Sequence, residues 1–405
     1  MTMTTIKEKA NWCLSCPNPR CETGCPTGNH IRDFIKEMKE ENLEEAARVL
    51  YAVNPYPQLT SRLCDCASQC QGHCVRGIKS TPVEIQAVER YISDQVPLTI
   101  SVCGANGKKI ALVGAGPANL TCAKVLVEHG CEVHIYEKED KIGGAVYTGI
   151  PSYRFDHAYL DTICSTLQQA GVHFHMHQEV GKDISLEQLQ SSYDKVVLGI
   201  GAQVENTYGL HGEGCTAGLS LLYDLNVLHK QKDYVEKYSS ALVWGGGNVA
   251  MDCARSLKRI LKDVTILYRR TKKEMPASID EIEDAEKEDI HFAYLETIKE
   301  LYLDDEGKVT GAHCVKMHLG EPDDSGRARP VETEGSDYTL PCELVVCAVG
   351  QKVSFAPVGD VELTEGHKTS VENVYVTGDA YLGPKTVAAA IRDGRNVAAE
   401  IMEEI

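Results

Sequence analysis

Eight cysteines lie in two short groups near the start of the 405-residue chain. The groups read Cys13-x2-Cys16-x4-Cys21-x3-Cys25 and Cys64-x-Cys66-x3-Cys70-x3-Cys74. Closely spaced thiolates on short loops are the ligands that 4Fe–4S clusters prefer. Structural zinc also takes four soft ligands, so the spacing by itself leaves zinc open as an alternative. Ligands can cross between two such groups, and chain order therefore does not assign each cysteine to a cluster.

A glycine-rich turn, GAGPAN, follows an apolar run and contains Gly114, Gly116 and Asn119. In such a turn the first glycine permits the tight bend, the second lets a pyrophosphate approach, and the helix N-terminus supplies N–H groups and partial positive charge. Asn119 replaces the usual third glycine, which governs helix–strand packing and not the anion site. Glu137 ends the next apolar run, where a carboxylate can bind both ribose hydroxyls. The predicted dinucleotide-binding residues are Gly114, Gly116, Pro117, Ala118, Glu137 and Lys138.

A second turn of the same kind, GGGNVA, begins at Gly245, 131 residues after Gly114. Its predicted binding residues are Gly245, Gly247, Asn248 and Val249. The position equivalent to Glu137 is Tyr268, and Arg269 and Arg270 come directly after it. Guanidinium groups bind phosphate in a bidentate manner, whereas NAD sites usually present an acid here, so this site favours the 2′-phosphate of NADPH. If the two arginines are ordinary surface charges, NADH use stays open.

The composition restricts the choice of partners. A formal net charge of −18 at pH 7 argues against nucleic acid and membrane surfaces, because clustered Lys and Arg bind both. No apolar run approaches the ~18 residues of a membrane span or forms a secretory signal. We therefore expect a cytoplasmic protein. Thiols stay reduced in that compartment, so clustered cysteines indicate metal or redox chemistry and not disulfides.

The elements that must position these residues can be predicted from the periodicity. Apolar residues recur at helical spacing between Ile31 and Leu50, which predicts a small helical domain beside the cysteines. From Lys108 onward, apolar β-type runs alternate with helical patterns, which is typical of a parallel α/β fold. The repeated glycine turn predicts two Rossmann-type dinucleotide-binding domains. The stretch 321–335 is predicted to be an exposed loop. Five cysteines in apolar patterns are predicted to be buried hydrophobes: Cys122, Cys131, Cys164, Cys253 and Cys347.

Several motifs together resemble the glutamate synthase small-subunit family, which also supplies the flavin half of dihydropyrimidine dehydrogenase. They are the two cysteine groups, GAGPANL, IGGAVYTGIPSYRF, GGGNVAMDCAR, YRRTKKEMPAS, CAVGQ and TGDAYLGPKTVAAAI, and they cover nearly the whole chain. The resemblance implies an FAD domain with an inserted NAD(P) domain, preceded by a small helical iron–sulfur domain. The expected bounds are 1–106 for the helical domain, 107–203 and 352–405 for the FAD domain, and 204–351 for the NAD(P)H domain.

The same resemblance implies two 4Fe–4S clusters with ligands from both cysteine groups. One cluster would take Cys13, Cys16, Cys21 and Cys74, and the other would take Cys25, Cys64, Cys70 and Glu89. Glu89 stands seven residues after Pro82, where the family has Glu or Gln. Cys66 has no family counterpart, and it is either a spare thiol or a replacement for Glu89, which would alter the cluster potential.

The flavin contacts that the resemblance implies lie in two segments. The residues are Gly144, Ile150, Arg154, Gly378, Asp379, Thr386 and Val387. The first three would line the FAD, and Asp379 would bind its ribityl chain. Thr386 and Val387 open the last helix, so free N–H groups and the helix dipole can face the N1–O2 edge of the flavin and stabilise the reduced anion.

These features predict an oxidoreductase that passes hydride from NADPH or NADH to FAD, and then single electrons through the two clusters to another protein. The cofactors carry the chemistry, so no catalytic side chain is predicted. The expected acceptor is a protein subunit, such as a glutamate synthase large subunit or another reductase. Two alternatives stay open: a free-standing enzyme that exchanges electrons between NAD(P)H and ferredoxin, and a zinc-bound scaffold without activity.

Overall fold

The computed structural model describes residues 2–323 and 326–405. The chain divides into two compact units, which we call the first and the second unit. The first unit comprises Met1–Tyr147, Phe155–Gln203 and Val353–Ile405, and the second comprises Thr148–Arg154 and Val204–Lys352. No helix within the described residues is long and apolar enough to cross a membrane.

The first unit begins with a group of short helices. They are α1 (Met3–Asn11), α2 (Arg20–Thr23), α3 (Ile31–Lys39), α4 (Leu43–Tyr51), α5 (Pro57–Leu63) and α6 (Ile85–Gln95). The spacing of Ile31, Phe34, Ile35 and Met38 puts all four on one buried face of α3. Most of the cysteines lie on the connections, with the first group between α1 and α3 and the second between α5 and α6. The helical core therefore fixes the loops that carry the thiols.

A five-stranded parallel sheet forms the rest of the first unit, in the order β16-β4-β1-β2-β3. The strands are β1 (Lys109–Val113), β2 (Glu132–Glu137), β3 (His173–Met176), β4 (Lys195–Leu198) and β16 (Val374–Val376). The helices are α7 (Pro117–Glu128), α8 (Ala145–Thr148), α9 (Ala158–Gln169), α10 (Leu186–Ser192), α15 (Asp379–Leu382) and α16 (Val387–Glu404). The end of β1 leads into the first glycine turn and α7, where nucleotides bind in sheets of this kind.

The second unit contains a parallel sheet of the same type, in the order β6-β14-β7-β8-β9. Its strands are β6 (Cys215–Ala217), β7 (Ser240–Trp244), β8 (Asp263–Tyr268), β9 (His291–Tyr294) and β14 (Leu344–Cys347). Its helices are α11 (Gly218–Asn226), α12 (Gln231–Lys237), α13 (Asn248–Lys258) and α14 (Ile279–Lys287). An antiparallel sheet holds β10 (Glu296–Leu303), β11 (Val309–Pro322), β12 (Ala328–Glu332) and β13 (Tyr338–Pro341), and β5 (Val204–Glu205) pairs with β15 (Gln351–Lys352). The two parallel sheets with their helices confirm the predicted α/β fold class.

The stretch 321–335 is not the exposed loop that the sequence predicts. It contains the end of β11 and the whole of β12, which pair antiparallel from Pro322 and Ala328 onward. Residues 324 and 325 lie outside the described residues. The Asp, Gly and Pro content is that of a hairpin turn, and a turn between two strands has the same composition as a loop.

The segment Thr148–Arg154 belongs to the second unit, although the sequence places it in the FAD domain, 107–203. Arg154 makes ion pairs with Asp252 at 2.6 Å and Glu281 at 2.7 Å. The amide of Asn226 donates to the carbonyl of Thr148 at 3.1 Å. These polar contacts to the second unit account for the grouping, and no pattern of residue types in the sequence indicates them.

Candidate functional site

Four cysteines line one cavity among the helices of the first unit. They are Cys13, Cys16, Cys21 and Cys74, and the apolar side chains Ile31, Ile35, Val83 and Ile85 form part of the wall. Three of these thiols come from the first cysteine group and one from the second. The structure thus brings together the set that the family resemblance implies for one cluster. Sulfur ligands in an apolar wall suit a 4Fe–4S cluster.

One thiol of this cavity, that of Cys21, has a pKa that its surroundings raise. Burial raises the pKa of Cys21 to about 12, and the nearby Glu22, Cys74 and Cys13 add to the rise. A thiol with such a pKa stays protonated at neutral pH when no cation is near. A metal that binds the thiolate would have to displace this proton.

The other four predicted ligands also lie together, in the interior of the helical group. Burial raises the pKa of Cys64 well above its ordinary value, and charge repulsion from Glu89, Cys70 and Cys25 adds to it. Burial likewise raises the pKa of Cys25, with Glu89 and Cys70 among the contributing charges. Three thiols and one carboxylate therefore form a second group of suitable ligands.

Glu89 is a buried carboxylate on α6 with 6 % of its surface exposed. Its Oε1 atom accepts hydrogen bonds from the Thr60 hydroxyl and from the Asn54 amide, the latter at 3.2 Å. Burial raises the pKa of Glu89 to about 7. Both hydrogen bonds go to Oε1, which leaves Oε2 for a ligand, and a bound iron would compensate the cost of burying the charge.

Cys66 lies beside one of the predicted ligands. A hydrogen bond with Cys66 is the largest of the effects that raise the pKa of Cys70, and burial is the next. The Cys66 amide donates to the carbonyl of Cys64 at 3.0 Å, which holds the loop closed between the two thiols. Cys66 is itself buried. Cys66 is therefore placed to form a hydrogen bond to a cluster ligand. Such hydrogen bonds are one way in which proteins set the reduction potential of a cluster.

Within residues 2–323 and 326–405, no three His, Cys, Asp or Glu side chains converge closely enough to hold one metal ion. A zinc ion draws its thiolates to ≈ 2.3 Å from a common point. In a 4Fe–4S cluster each thiolate binds a different iron, so the sulfurs stand farther apart.

The first glycine turn has the geometry of a pyrophosphate site. Gly114 has φ +90°, and a Cβ atom there would lie 2.7 Å from the carbonyl oxygen of Gly199. Gly116 is the N-cap of α7, and Pro117 occupies its first turn. The Asn119 amide donates to the carbonyls of Val113 and Gly114, both at 2.8 Å. Asn119 therefore closes the turn from inside, and the missing third glycine is replaced by two hydrogen bonds.

Glu137 ends β2 beside this turn and is 5 % exposed. Its carboxylate accepts from the backbone N–H groups of Ala115, at 2.7 Å, and Glu139, at 3.0 Å. Burial raises its pKa, while these two hydrogen bonds act in the opposite direction. The Ala115 bond ties the acid to the glycine turn, which places it where a ribose bound to that turn would lie. The neighbouring Lys138 is exposed and bonds Gln203 at 3.0 Å.

Two other predicted flavin residues approach the same turn. A Cβ atom on Gly144 would lie 3.1 Å from the Cα of Gly116. A Cβ atom on Gly378 would lie 2.9 Å from the Cβ of Ala118. Larger side chains at these positions would fill the space beside the turn. The glycines thus leave a cradle around the start of α7 that fits a dinucleotide.

The start of α16 lies close in sequence to Gly378. Thr386 is the N-cap of this 18-residue helix and accepts from the Ala389 amide at 3.2 Å. Asp379 accepts from the Lys385 amide at 3.1 Å, and burial raises the pKa of this acid to about 6. The Asp379 carboxylate can accept a hydrogen bond from a hydroxyl group, which suits the predicted contact with a ribityl chain.

The predicted flavin residues Ile150 and Arg154 have a different setting. Ile150 is half-buried in the segment that groups with the second unit. The Arg154 guanidinium pairs with two carboxylates of the second unit, through Nη1 with Asp252 and through Nε with Glu281. Burial raises the pKa of Asp252 to about 6, against the effect of Arg154. The structure therefore gives Arg154 the role of holding this segment, and its contact with FAD stays a prediction.

The second glycine turn resembles the first, because its first glycine also has a positive φ and its last glycine also caps a helix. A Cβ atom on Gly245, at φ +151°, would lie 2.2 Å from the carbonyl oxygen of Ala348. Gly247 is the N-cap of α13. The Asn248 side chain accepts from the Ser278 amide at 3.0 Å, and Val249 packs beside α11. The turn is thus open above α13 in the way an anion site requires.

The two arginines after Tyr268 are not equivalent. Arg269 is exposed, whereas Arg270 is 3 % exposed. The Arg270 guanidinium donates to the carbonyl of Ala328 at 2.7 Å and to the carboxylate of Asp323. Arg270 therefore anchors the hairpin of β11 and β12. Arg269 is the one whose side chain lies in solvent, and it is the better placed of the two for a phosphate.

Comparison with known proteins agrees with this arrangement. Residues 1–98 match the family described as dihydropyrimidine dehydrogenase domain II, 4Fe–4S cluster, and residues 108–394 match the pyridine nucleotide-disulphide oxidoreductase family. The glutamate synthase [NADPH] small chain of Escherichia coli (strain K12) is 32 % identical, over 98 % of this chain and 90 % of the relative. The chain belongs to the glutamate synthase small-chain family.

Members of this family differ in total length. The NADP(+)-dependent formate dehydrogenase subunit beta of Moorella thermoacetica is 34 % identical over 94 % of this chain. The chain spans 59 % of that protein and 65 % of another curated relative, less than two thirds of each. Among solved structures, FprA of Mycobacterium tuberculosis in complex with NADPH has a TM-score of 0.64 at 19 % identity, over 73 % of this chain and 85 % of that one, and shares its fold.

Membership in the glutamate synthase small-chain family confirms the resemblance read from the sequence. The chain is an NADPH-dependent oxidoreductase with FAD and 4Fe–4S chemistry, as predicted. The geometry agrees, since eight predicted ligands form two groups and both glycine turns are built for a nucleotide.

Some residues that shape these sites were not singled out from the sequence. Asp393 of α16 accepts from the Gly378 amide at 2.7 Å and the Thr377 hydroxyl at 2.9 Å, and it pairs with His367 at 3.1 Å. Arg395 donates to the carbonyl of Thr27 at 3.0 Å. Both are charged residues inside the apolar pattern of the last helix, and a charge on a buried helical face was the available signal.

Proposed function

We propose that this chain is the electron-input subunit of a larger enzyme, which takes hydride from NADPH and delivers electrons one at a time to a separate acceptor protein. The relatives named as a glutamate synthase small chain and a formate dehydrogenase subunit beta support a subunit role. The observation that carries the proposal is that both cysteine sites and the first glycine turn belong to one compact unit. Cofactors bound at these places would have fixed relative positions.

Hydrogen bonds join the helical group to the FAD part of that unit at several places. The Tyr56 hydroxyl donates to the carbonyl of Leu120 on α7 at 2.7 Å. Arg62 donates to the Tyr159 hydroxyl at 2.6 Å. Arg395 of α16 reaches the carbonyl of Thr27, two residues from the predicted ligand Cys25. Helix α7, which follows the first glycine turn, and helix α16, whose N-terminus is predicted to face the flavin, therefore both bond directly to the helical group.

Each cofactor would be bound by its own set of residues. Bound FAD and 4Fe–4S clusters would supply the conversion of a hydride into single electrons. Gly116 and Glu137 would hold the pyrophosphate and ribose, and the N-terminus of α16 would stabilise negative charge on the reduced flavin. Arg269 would select NADPH through its 2′-phosphate. The two groups of four ligands would bind one cluster each.

The proposed acceptor is a partner subunit of the glutamate synthase large-chain type or another reductase. A tagged chain isolated from its own cells under anaerobic conditions should retain that subunit, which mass spectrometry of the assembly would identify. A chain that is monomeric at cellular concentration and turns over fully with ferredoxin would instead support the free-standing reductase.

An anaerobic spectrum with flavin and iron analysis tests the cofactor part. We expect flavin bands, about eight iron atoms per chain and bleaching on addition of NADPH. Cys74→Ala and Cys70→Ala should each remove one cluster, with about half of the iron, because each belongs to a different group of ligands. Cys122→Ala is the matched control, since Cys122 is a buried thiol outside both groups. A colourless protein with zinc and no iron would contradict the proposal.

A further inference from the structure

One surface of the helical group combines exposed apolar side chains with cations. Leu14 is 61 % exposed, Ile78 is 68 % exposed and Trp12 is 36 % exposed. The Arg76 guanidinium stacks on the Trp12 ring at 4.6 Å from its centroid. We call this surface the docking patch and define it by Trp12, Leu14, Arg20, Arg76, Ile78 and Lys79.

The docking patch surrounds one of the two cysteine sites. Leu14, Arg20 and Arg76 line the same cavity as the thiols of Cys13, Cys16, Cys21 and Cys74. All four of these cysteines are partly exposed. In the other site, Cys70 and Glu89 are buried, and Cys25 and Cys64 are partly exposed. A redox centre at the first site would therefore lie just under the patch.

The cations of the docking patch lack the neutralisation found elsewhere in the helical group. Lys7 pairs with Glu41, Lys9 with Glu84, and Arg48 with Glu45. Within the described part of the chain, Arg20, Arg76 and Lys79 make no ion pair. The chain as a whole has a formal net charge of −18. A patch of unpaired positive charge on so acidic a protein points to a negatively charged partner.

We infer that the docking patch binds the acceptor protein through an acidic face, so that electrons leave the chain at the site of Cys13, Cys16, Cys21 and Cys74. This inference rests on the proposed function and specifies the partner. Apolar side chains at the centre and charges at the rim are the usual anatomy of a protein interface. A second copy of this chain would bring the same cations against each other in a symmetric contact, which disfavours self-association there.

A plant-type 2Fe–2S ferredoxin, which is an acidic electron carrier, serves as the probe. The assay measures NADP+ reduction by chemically reduced ferredoxin, in which two ferredoxins each give one electron and, with one proton, form one NADPH. We expect kcat/KM for ferredoxin to fall as salt is raised from about 20 to about 300 mM, because salt screens the attraction between the patch and the probe.

Charge reversal on the docking patch is the decisive change. Ile78→Glu combined with Lys79→Glu, two positions outside the lining of the cysteine cavity, should lower kcat/KM for ferredoxin about tenfold or more at low salt. Arg48→Glu is the matched control, because Arg48 lies on α4, which adds no residue to the patch, and its side chain is 70 % exposed. The control should stay within about twofold of the unchanged chain. Iron content and the rate of flavin reduction by NADPH should be the same in all variants.

The outcomes separate this inference from the proposed function. Suppose that the cofactors and NADPH oxidation are intact, but kcat/KM for ferredoxin does not depend on salt, or falls equally in the double variant and in Arg48→Glu. Either result would overturn the docking patch and leave the proposed function standing. A dimer that the double variant dissociates would overturn it as well, because the patch would then bind a second copy. Missing flavin or iron would instead defeat the proposed function.

Discussion

The two glycine turns of this protein share a backbone and differ in the side chains at the end of the next strand. The first glycine of each turn is required by the fold, because a Cβ atom would strike a carbonyl oxygen, of Gly199 beside Gly114 and of Ala348 beside Gly245. The second glycine of each is an N-cap in extended conformation, which any residue can adopt. The fold therefore explains the first glycine, and we propose that a bound nucleotide explains the second.

The side chains after the two strands suit different nucleotides. After β2, the Glu137 carboxylate is bonded to the turn through the Ala115 amide. After β8, the Tyr268 ring packs against Gly246, and its hydroxyl donates to the carbonyl of Glu274 at 2.7 Å. The carboxylate favours a free ribose, whereas the exposed Arg269 favours a phosphate. We therefore propose that the two turns bind different nucleotides and that a few side chains make the difference.

The largest effect should come from Gly116→Ala. The described structure has no atom within 4 Å of a Cβ at this position, so the variant should fold normally. The methyl group would occupy the path of the pyrophosphate, and we expect FAD affinity to fall about a hundredfold or more. Flavin content after purification, together with a far-UV circular dichroism spectrum, measures both parts of this prediction.

Gly247→Ala is the matched variant in the second turn. Its nearest neighbour would be Pro276 at 3.9 Å, which is ordinary contact. This variant should keep its flavin and bind NADPH poorly, the reverse of Gly116→Ala. Equal loss of flavin in both variants would show that the two turns do not have separate ligands.

Arg269→Glu should have the next largest effect. The change removes a charge-assisted hydrogen bond worth about 1.5–3 kcal/mol and adds repulsion, so KM for NADPH should rise at least about tenfold to a hundredfold. KM for NADH should change little, because NADH has no 2′-phosphate. Steady-state reduction of ferricyanide with either nucleotide measures the two constants.

A surface control isolates the effect of charge. Lys232→Glu makes the same change at an exposed position of α12 in the same unit. A similar rise in KM for NADPH in this control would mean that the net charge, and not Arg269, selects the nucleotide.

The comparison also shows what the sequence could predict. The glycines, Glu137 and the cysteine spacings are local patterns, and they were enough to predict the α/β class; together with the family resemblance they also predicted the cofactors. Arg154 and Arg270 could not be placed in the same way, because each is defined by partners far along the chain, Asp252 and Ala328. Residues that bind a cofactor can be predicted from local patterns. Residues that hold the binding segments in place are harder to predict, because their partners lie far away in the sequence.

A smaller effect is expected from Asn119→Ala, which gives the first turn the residue type found at Ala250 in the second. The change removes two hydrogen bonds to buried carbonyls, those of Val113 and Gly114. It should lower the free energy of unfolding of the first unit by about 1–2 kcal/mol. The temperature at which flavin is released, measured by flavin fluorescence, should fall, while KM for NADPH stays constant. Unchanged flavin release would mean that the amide does not hold the turn.

The smallest effect is expected at His367, which bonds Asp393, the residue that holds the Gly378 amide. Burial lowers the pKa of His367, but hydrogen bonds and charges from Asp393 and Glu400 outweigh it, so the pKa of this imidazole is raised. A raised pKa in the folded state gives stability that is complete below the ordinary His value of about 6.5 and is lost as pH rises through the folded-state pKa. His367→Gln should remove this pH-dependent loss of stability, which amounts to about 1 kcal/mol. His129→Gln, at an exposed position, is the control and should leave the loss unchanged. Flavin-release temperatures between about pH 6 and pH 9 measure the difference, and identical pH profiles for the unchanged chain and His367→Gln would show that the charge on this imidazole does not stabilise the flavin site.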